Sequence, residues 1–202
     1  MNKHPWEIVY YKKQFSINTL EPSIIIKANN NLFHAGDKIL DIGCGNGRNS
    51  IYLANLECMI DAFDIADLDW FGKLNSSIKG KINFTKSEIN SFKWKNNYYN
   101  GVILTRVIQY LDPEEINILF ANISKSLINR GFLMLNYAVK GIIQKHKEIK
   151  VPKFSHSIES IDSYLKPYFQ KILISDGSDI STHTNLKGKI KSYNVIAFKS
   201  DM

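Results

Sequence analysis

Three glycines at alternating positions mark the part of this sequence best suited to bind a ligand. Gly43, Gly45 and Gly47 lie in the stretch ILDIGCGNGRNSIYLA, between an apolar run and a segment of helical character. Glycine has no β-carbon, so the backbone can approach a ligand closely there. The free N–H groups at the start of a helix also attract polar or negatively charged atoms. The pattern therefore predicts a nucleotide-binding loop between a strand and a helix.

The spacing of the glycines argues against a dinucleotide. That pattern is G-x-G-x-x-G, and counted from Gly43 its third glycine would fall on Arg48. The chain instead carries D-x-G-x-G-x-G, which begins at Asp41. A further acid, Asp64, ends the next apolar run, and a carboxylate there can accept hydrogen bonds from both hydroxyls of a ribose. Asp61 lies earlier in the same predicted strand, and the strand-end position favours Asp64 as the ribose acceptor.

The glycine stretch also carries a family resemblance. LDIGCGNGRNSIYLA resembles motif I of the class I S-adenosylmethionine-dependent methyltransferases, and its GRN ending is similar to the tellurite-resistance-type and related small-molecule members. The resemblance implies S-adenosyl-L-methionine as cofactor and methyl transfer as the reaction. It covers residues 38–139 well and the remainder in outline. The alternative is a motif match on a dinucleotide-binding or non-catalytic domain.

Two later segments carry residues that the resemblance assigns to the same cofactor. Glu88 and Ile89 follow a predicted third strand, where the family usually places an Asp–apolar pair whose acid accepts from the adenine amino group. YYNGVILTRVIQYL resembles the family's YDxIxxxxVLHYL, with Asn100 for the usual Asp and Gln109 where His is common. Thr105, which ends that strand, would border the methionine part of the cofactor. The implied cofactor-binding residues are Asp41, Gly43, Cys44, Gly45, Gly47, Arg48, Asn49, Asp64, Ile65, Glu88, Ile89 and Thr105.

Residues for the methyl acceptor lie outside that set. Arg106 follows Thr105 and is a candidate partner for an anionic acceptor. Tyr11, with Trp6 and Tyr10, is a candidate for an N-terminal lid like those of related enzymes, and hydrophobic docking of a first helix is the alternative. Methyl transfer from a sulfonium needs alignment more than proton transfer, and a soft nucleophile such as a thiolate needs no base. No metal ion is expected.

Two histidines and a cysteine are further residues whose chemistry could serve an acceptor site. His183 stands where tellurite-type relatives place a histidine near the acceptor, but Thr184 follows it instead of a basic residue, which puts tellurite specificity in doubt. A surface-loop histidine is the alternative for His183. His156, before a predicted helix, is expected at the surface, and Cys44 is interpreted as a small filler of the glycine loop.

Alternating strands and helices must position these residues. Apolar strands are predicted at KILDI, MIDAFDI, INFT, NGVILT and FLMLNYAV, and a helix at residues 48–56. The segment DPEEINILFANISKSLI predicts a second helix, with Asp112 as N-cap, Pro113 at the first position, Glu115 completing a capping box and Gly131 at the end. Short apolar strands separated by helices indicate a mainly parallel sheet covered on both faces.

The last third predicts a helix at SIESIDSYLKPYF and two late strands, KILIS and YNVIAFK, joined by a turn-rich loop. With the resemblance, this predicts one α/β domain over residues 1–202. Its Rossmann-like, seven-stranded sheet is mainly parallel, has helices on both faces and ends in an antiparallel strand. Residues 1–36 would form N-terminal helices or a lid, 37–139 the cofactor-binding core, and 140–202 a helix with an antiparallel strand pair.

Composition bounds the function classes. The chain has 202 residues, a formal net charge of +7, two cysteines, and neither a leader-like N-terminus nor an apolar run of membrane-spanning length. It is therefore expected to be cytoplasmic, without a membrane partner. The excess charge is +2 in residues 1–36, zero in 37–139 and +5 in 140–202. A small-molecule acceptor is favoured. RNA or protein acceptors using the basic last third, and a non-catalytic cofactor-binding subunit, are the alternatives; the oligomeric state is left open.

Overall fold

A seven-stranded sheet forms the centre of the computed structural model, which describes residues 21–66, 69–140, 154–177 and 191–199. The strands are β1 (Lys38–Ile42), β2 (Met59–Asp64), β3 (Ile82–Lys86), β4 (Tyr99–Thr105), β5 (Leu127–Lys140), β6 (Lys171–Asp176) and β7 (Lys191–Phe198). Their order is β3-β2-β1-β4-β5-β7-β6. The pairs among β1 to β5 are parallel, whereas β7 runs antiparallel to both β5 and β6. The predicted sheet, with its antiparallel last strand, is confirmed.

Helices cover both faces of this sheet, as predicted. The α-helices of the described residues are α1 (Ile24–Ala28), α2 (Arg48–Asn55), α3 (Ser76–Lys79), α4 (Pro113–Ser126) and α5 (Ile158–Leu165). One hydrophobic core lies between the sheet and helices α4 and α5, and it includes Leu40 and Ile42 of β1. The other core includes Ile39 of the same strand and buried residues of α1, α2 and α3. Successive strand residues thus feed opposite cores, which explains why these strands are apolar throughout.

Helix α4 begins as its sequence predicts and ends earlier. The side chain of Asp112 accepts a hydrogen bond from the Glu115 backbone nitrogen at 2.9 Å, and Glu115 Oε2 accepts one from the Asp112 nitrogen at 2.8 Å. The predicted capping box is confirmed. The end at Gly131 is wrong, because Leu127 is already extended, with ψ 142°, and begins β5. A β-carbon on Gly131 would lie 2.9 Å from the carbonyl oxygen of Ile128, so close backbone approach accounts for this glycine.

Strand β1 lies between β2 and β4, so the order in which strands are added to the sheet switches from one side of β1 to the other. Strand β2 follows β1 on one side, and the chain later returns to β4 on the other side. In open α/β sheets, ligands usually bind at the carboxyl ends of the two adjacent strands between which this switch occurs, here β1 and β4. Leu104 of β4 pairs with Ile42 of β1, so Thr105 lies beside the start of the glycine loop. Among the residues that the structure describes, no helix is both long enough and apolar enough to cross a membrane.

Candidate cofactor-binding site

The glycine loop joins β1 to α2 in a left-handed backbone conformation. Gly43, Gly45 and Gly47 have φ angles of 64°, 55° and 74°, a region that side chains strongly disfavour. The backbone nitrogens of Gly43 and Cys44 donate to the carbonyl oxygen of Phe63 in β2, at 2.9 and 3.1 Å. The loop is therefore fastened to the neighbouring strand, and its conformation requires glycine.

Two side chains pack directly against this loop. A β-carbon on Gly43 would lie 2.4 Å from Cγ2 of Val107, and one on Gly47 would lie 2.3 Å from the ring of Trp70. Val107 comes from the segment after β4, and Trp70 from the segment after β2. Trp70 is 3% exposed and contacts Phe84 edge-to-face. Sequence reasoning missed Trp70; the only signal for it was a large aromatic residue in a polar loop.

The carboxylate of Asp64 lies at the end of β2, beside the loop. Its Oδ2 accepts a hydrogen bond from the backbone nitrogen of Gly45 at 2.8 Å, and its Oδ1 accepts one from the nitrogen of Ala66 at 2.8 Å. The side chain is half-buried, as is Ile65, which follows it. These bonds hold an acidic group where the loop and the strand end meet.

Asp61 occupies a different environment from Asp64, although both belong to β2. Its carboxylate accepts hydrogen bonds from Lys95 Nζ at 2.6 Å, from the Tyr99 hydroxyl at 2.7 Å and from Asn83 Nδ2 at 3.0 Å. Burial alone would raise the pKa of Asp61, but these partners together hold it below its ordinary value. Asp61 thus forms an ion pair with Lys95 and does not contact the glycine loop through any of these bonds.

The carboxyl group of Asp41 is fully buried beneath the loop. Its Oδ2 accepts a hydrogen bond from the Ser50 hydroxyl at 2.5 Å. Burial raises the pKa of Asp41 to about 7; the charge of Asp64 adds to this rise, and the Ser50 bond and the charge of Arg48 oppose it. Burial also raises the pKa of the Cys44 thiol well above its ordinary value, which agrees with a filler rather than a nucleophile.

The side chain of Asn49 bridges elements around the loop. Its Oδ1 accepts hydrogen bonds from the backbone nitrogen and the hydroxyl of Ser23, both at 2.9 Å. Its Nδ2 donates to Oγ1 of Thr105 at 3.1 Å. The guanidinium of Arg48 lies 3.4 Å from the Ser23 hydroxyl, which accepts from it. The sequence did not indicate a contact between Ser23 and the glycine loop, because a serine before a helix is usually explained as an N-cap.

The segment after β4 places a positive charge at the carboxyl edge of the sheet. Arg106 has a φ of 62°, unusual for a residue with a side chain, and its backbone nitrogen donates to the carbonyl oxygen of Asn136 at 2.8 Å. Asn136 is buried, and its Nδ2 donates to Oδ1 of Asn194 at 2.7 Å. Burial raises the pKa of Tyr110, and a hydrogen bond from Gln109 and the charge of Arg106 offset only part of the rise.

Comparison with known proteins decides the family. The family model of the tellurite resistance protein TehB matches residues 6–176 of this chain. This protein belongs to the TehB family. The family consists of S-adenosylmethionine-dependent methyltransferases, and S-adenosyl-L-methionine is its cofactor. The resemblance identified from the glycine stretch is thereby confirmed.

Individual relatives extend the comparison beyond the TehB family. The ribosomal protein L11 methyltransferase of Campylobacter concisus (strain 13826) is 30% identical over 114 residues, which are 56% of this chain and 38% of that protein. The TehB-family chain therefore spans only about two fifths of that relative.

Two solved structures are similar to the TehB-family protein in fold. A S-adenosylmethionine-dependent methyltransferase from Methanosarcina mazei has a TM-score of 0.71 at 17% identity, covering 91% of this chain and 100% of that one. The 1,6-didemethyltoxoflavin-N1-methyltransferase of Burkholderia thailandensis, bound to 1,6-didemethyltoxoflavin and S-adenosylhomocysteine, has a TM-score of 0.72 at 14% identity. That match covers 98% of this chain and 87% of that one. The Rossmann-like methyltransferase fold is confirmed.

The residues at the loop of this TehB-family protein suit its cofactor. The left-handed glycine backbone at the end of β1 brings main-chain atoms to the crevice between β1 and β4, and the carboxylate beside Gly45 belongs to Asp64, a group of the acceptor chemistry that ribose hydroxyls require. Glu88 is exposed, two residues beyond β3, and the half-buried Ile89 packs against the core. No group of three or more metal-ligating side chains occurs among the described residues.

Four predicted acceptor-site residues lie outside the described residues, namely Trp6, Tyr10, Tyr11 and His183. His156 is described, and its predicted surface location is wrong. It is 3% exposed, and its Nε2 lies 3.1 Å from the carbonyl oxygen of Ile108 and 3.0 Å from that of Leu111. A carbonyl oxygen only accepts, so Nε2 carries the hydrogen and donates to both. The histidine fastens the turn after β4, which explains its burial in a polar sequence.

Proposed function

We propose that this methyltransferase acts on a small-molecule acceptor bound at the carboxyl ends of β4 and β5. The observation that supports the proposal is the left-handed Arg106, whose backbone nitrogen donates to the carbonyl oxygen of Asn136 in β5, the residue that pairs with Thr105. Non-glycine residues in this conformation cost roughly 1–2 kcal/mol and are concentrated at functional sites. The ligand-bound Burkholderia neighbour supports a small acceptor in this fold, since its structure contains 1,6-didemethyltoxoflavin.

The cofactor would be held by the loop and the ends of three strands. Asp64 would accept from the ribose hydroxyls, and Ile65 would lie beside the adenine. Glu88 would accept from the adenine amino group, with Ile89 as an apolar neighbour. The loop residues and Thr105 would surround the methionine part. This assignment is supported by the position of the Asp64 carboxylate, 2.8 Å from the Gly45 nitrogen.

The chemistry is an in-line displacement at carbon. S-adenosyl-L-methionine supplies an electrophilic methyl group on a positively charged sulfur. The acceptor's lone pair forms the new bond to the methyl carbon as the carbon–sulfur bond breaks, and the bonding pair stays on sulfur as a neutral thioether. The chain's role is to align the acceptor and exclude water. Arg106 would pair with an anionic group of the acceptor, and a soft nucleophile would need no base.

A protein acceptor is the second candidate. The Campylobacter relative is named for methylation of ribosomal protein L11, and it is 30% identical over 114 residues of this chain. A protein acceptor would bind the basic last third of the chain, residues 140–202, which carries a charge excess of +5. It predicts turnover on ribosomal protein and a rate that falls steeply with added salt.

An acceptor screen tests the proposal. Wild-type protein is incubated with S-adenosyl-L-methionine and separate pools of thiols, selenium and tellurium oxyanions, heteroaromatic amines, RNA and ribosomal protein, and S-adenosylhomocysteine is measured. We expect turnover in a small-molecule pool. If an anionic compound is the acceptor, Arg106→Gln should raise its KM about tenfold, as expected for a lost charged contact, with a smaller change in kcat. Turnover confined to the macromolecular pools would contradict the proposal.

A further inference from the structure

The amide of Asn49 connects three elements that meet at the glycine loop. Asn49 lies in the first turn of α2 and is 2% exposed. Ser23 is the N-cap of α1, and Thr105 is the last residue of β4. The amide oxygen of Asn49 faces Ser23 at 2.9 Å, and the amide nitrogen faces Thr105 at 3.1 Å. Both ends of this side chain are therefore engaged by the protein.

The backbone of Ser23 determines which way round the amide lies. A backbone N–H can only donate, so the Asn49 atom 2.9 Å from the Ser23 nitrogen must be the oxygen. The amide nitrogen then faces Oγ1 of Thr105, and this oxygen accepts. A hydroxyl has one hydrogen, and the hydrogen of Thr105 cannot point at a group that is itself donating. The hydrogen of the Thr105 hydroxyl is therefore directed away from Asn49.

The position of Thr105 indicates where that hydrogen bond goes. Leu104 pairs with Ile42, the last residue of β1, so Thr105 borders the beginning of the glycine loop. Two residues later, Val107 packs over Gly43. The half-buried Thr105 hydroxyl thus lies at the crevice between β1 and β4.

We propose that Asn49 is a positioning residue that fixes the Thr105 hydroxyl as a hydrogen-bond donor to a carboxylate oxygen of the methionine part of the cofactor. The proposal rests on the proposed function and changes the expected role of Asn49 from direct cofactor contact to control of Thr105. Ser23 becomes part of the same arrangement, because its backbone N–H sets the sense of the amide. The chain Ser23–Asn49–Thr105 thereby gives the crevice a donor of fixed direction.

The test compares two ligands that differ at the methionine end. S-adenosylhomocysteine has the amino acid part with its carboxylate, whereas 5′-methylthioadenosine lacks it. Thr105→Val removes the hydroxyl and keeps the shape. Asn49→Asp keeps an oxygen for Ser23 and loses the donor to Thr105. Affinities of both ligands are measured by calorimetry for wild type and each variant, with Thr105→Ser as the conservative variant. Asn55→Asp is the matched control, since that exposed amide lies on the same helix and donates to the carbonyl oxygen of Ile51, away from Thr105.

We expect Thr105→Val and Asn49→Asp to weaken S-adenosylhomocysteine binding about tenfold or more, the cost of losing a hydrogen bond to a charged group. Binding of 5′-methylthioadenosine should change less than about twofold. Thr105→Ser should bind S-adenosylhomocysteine with an affinity within about threefold of wild type. Equal losses for both ligands, or no loss for either, would overturn the proposal. If wild type binds neither ligand, the proposed function itself fails. If wild type binds both ligands and the variants bind them as tightly as wild type does, the proposed function stands and this inference fails.

Discussion

The ring of Trp70 occupies the space in which a β-carbon on Gly47 would lie, with 2.3 Å between that position and the nearest ring carbon. Gly47 also has a φ of 74°. Gly47→Ala should therefore destabilise the protein by about 2–5 kcal/mol, the sum of a left-handed alanine and an overpacked contact. Urea unfolding followed by circular dichroism measures this loss.

Gly36 provides the matched control for that substitution. Its φ is 86°, and a β-carbon there would meet nothing within 4 Å. Gly36→Ala should cost only the backbone strain, roughly 1–2 kcal/mol. A loss at Gly47 no larger than the loss at Gly36 would show that the Trp70 contact contributes nothing.

The buried carboxyl group of Asp41 should make stability depend on pH. Burial raises its pKa to about 7 in the folded protein, whereas in the unfolded chain the ordinary value of 3.8 applies. Between these values the folded state holds a proton that the unfolded state has lost. Stability therefore falls as pH rises from about 4 to about 7, and it levels off above that range. The full effect is on the order of 4 kcal/mol, since one pKa unit corresponds to about 1.4 kcal/mol.

Asp41→Asn removes this titration while keeping a polar side chain for Ser50. The difference in melting temperature between variant and wild type should grow in favour of the variant as pH rises from 5 to 8. Thermal melts without ligand, across that range, provide the measurement. Parallel pH profiles for the two proteins would show that Asp41 is ionised in the folded state throughout.

His156 should stabilise the turn that follows β4. Replacement by Leu removes the donor to the carbonyl oxygens of Ile108 and Leu111 in a buried place, which should cost about 1–3 kcal/mol. His156→Gln can place an N–H near the position of Nε2 and should cost less. The same urea unfolding assay compares them. If the Gln variant is as unstable as the Leu variant, ring packing rather than the hydrogen bond explains the burial.

The helices, strands and the glycine loop could be predicted from the sequence, because capping patterns, apolar runs and the glycine motif each depend on residues that are close together in the chain. The capping box of Asp112 and Glu115 needs only four residues in a row, and it formed as expected. The left-handed glycines lie within a motif of seven consecutive residues, Asp41 to Gly47. The strand-end position of Asp64 was likewise readable, since the apolar run of β2 stops there.

Contacts between distant segments were beyond these rules. Trp70 over Gly47, Ser23 on Asn49 and His156 on Ile108 join residues that are far apart in sequence or belong to different elements. The helix end was wrongly predicted at Gly131. A glycine is needed there because the backbone of β5 lies too close for a side chain, not because a helix ends. Lone polar residues carry no periodic signal, so only the folded arrangement reveals which of them are buried.

The most direct test of the account is calorimetric titration of wild type, Asp64→Asn and Asp61→Asn with S-adenosylhomocysteine. The two variants make the same change on the same strand, one beside the loop and one in the ion pair with Lys95. We predict binding by wild type, a loss of about tenfold or more in Asp64→Asn, and affinity within about threefold of wild type in Asp61→Asn. Absence of binding by folded wild type, or a larger loss in Asp61→Asn than in Asp64→Asn, would contradict it.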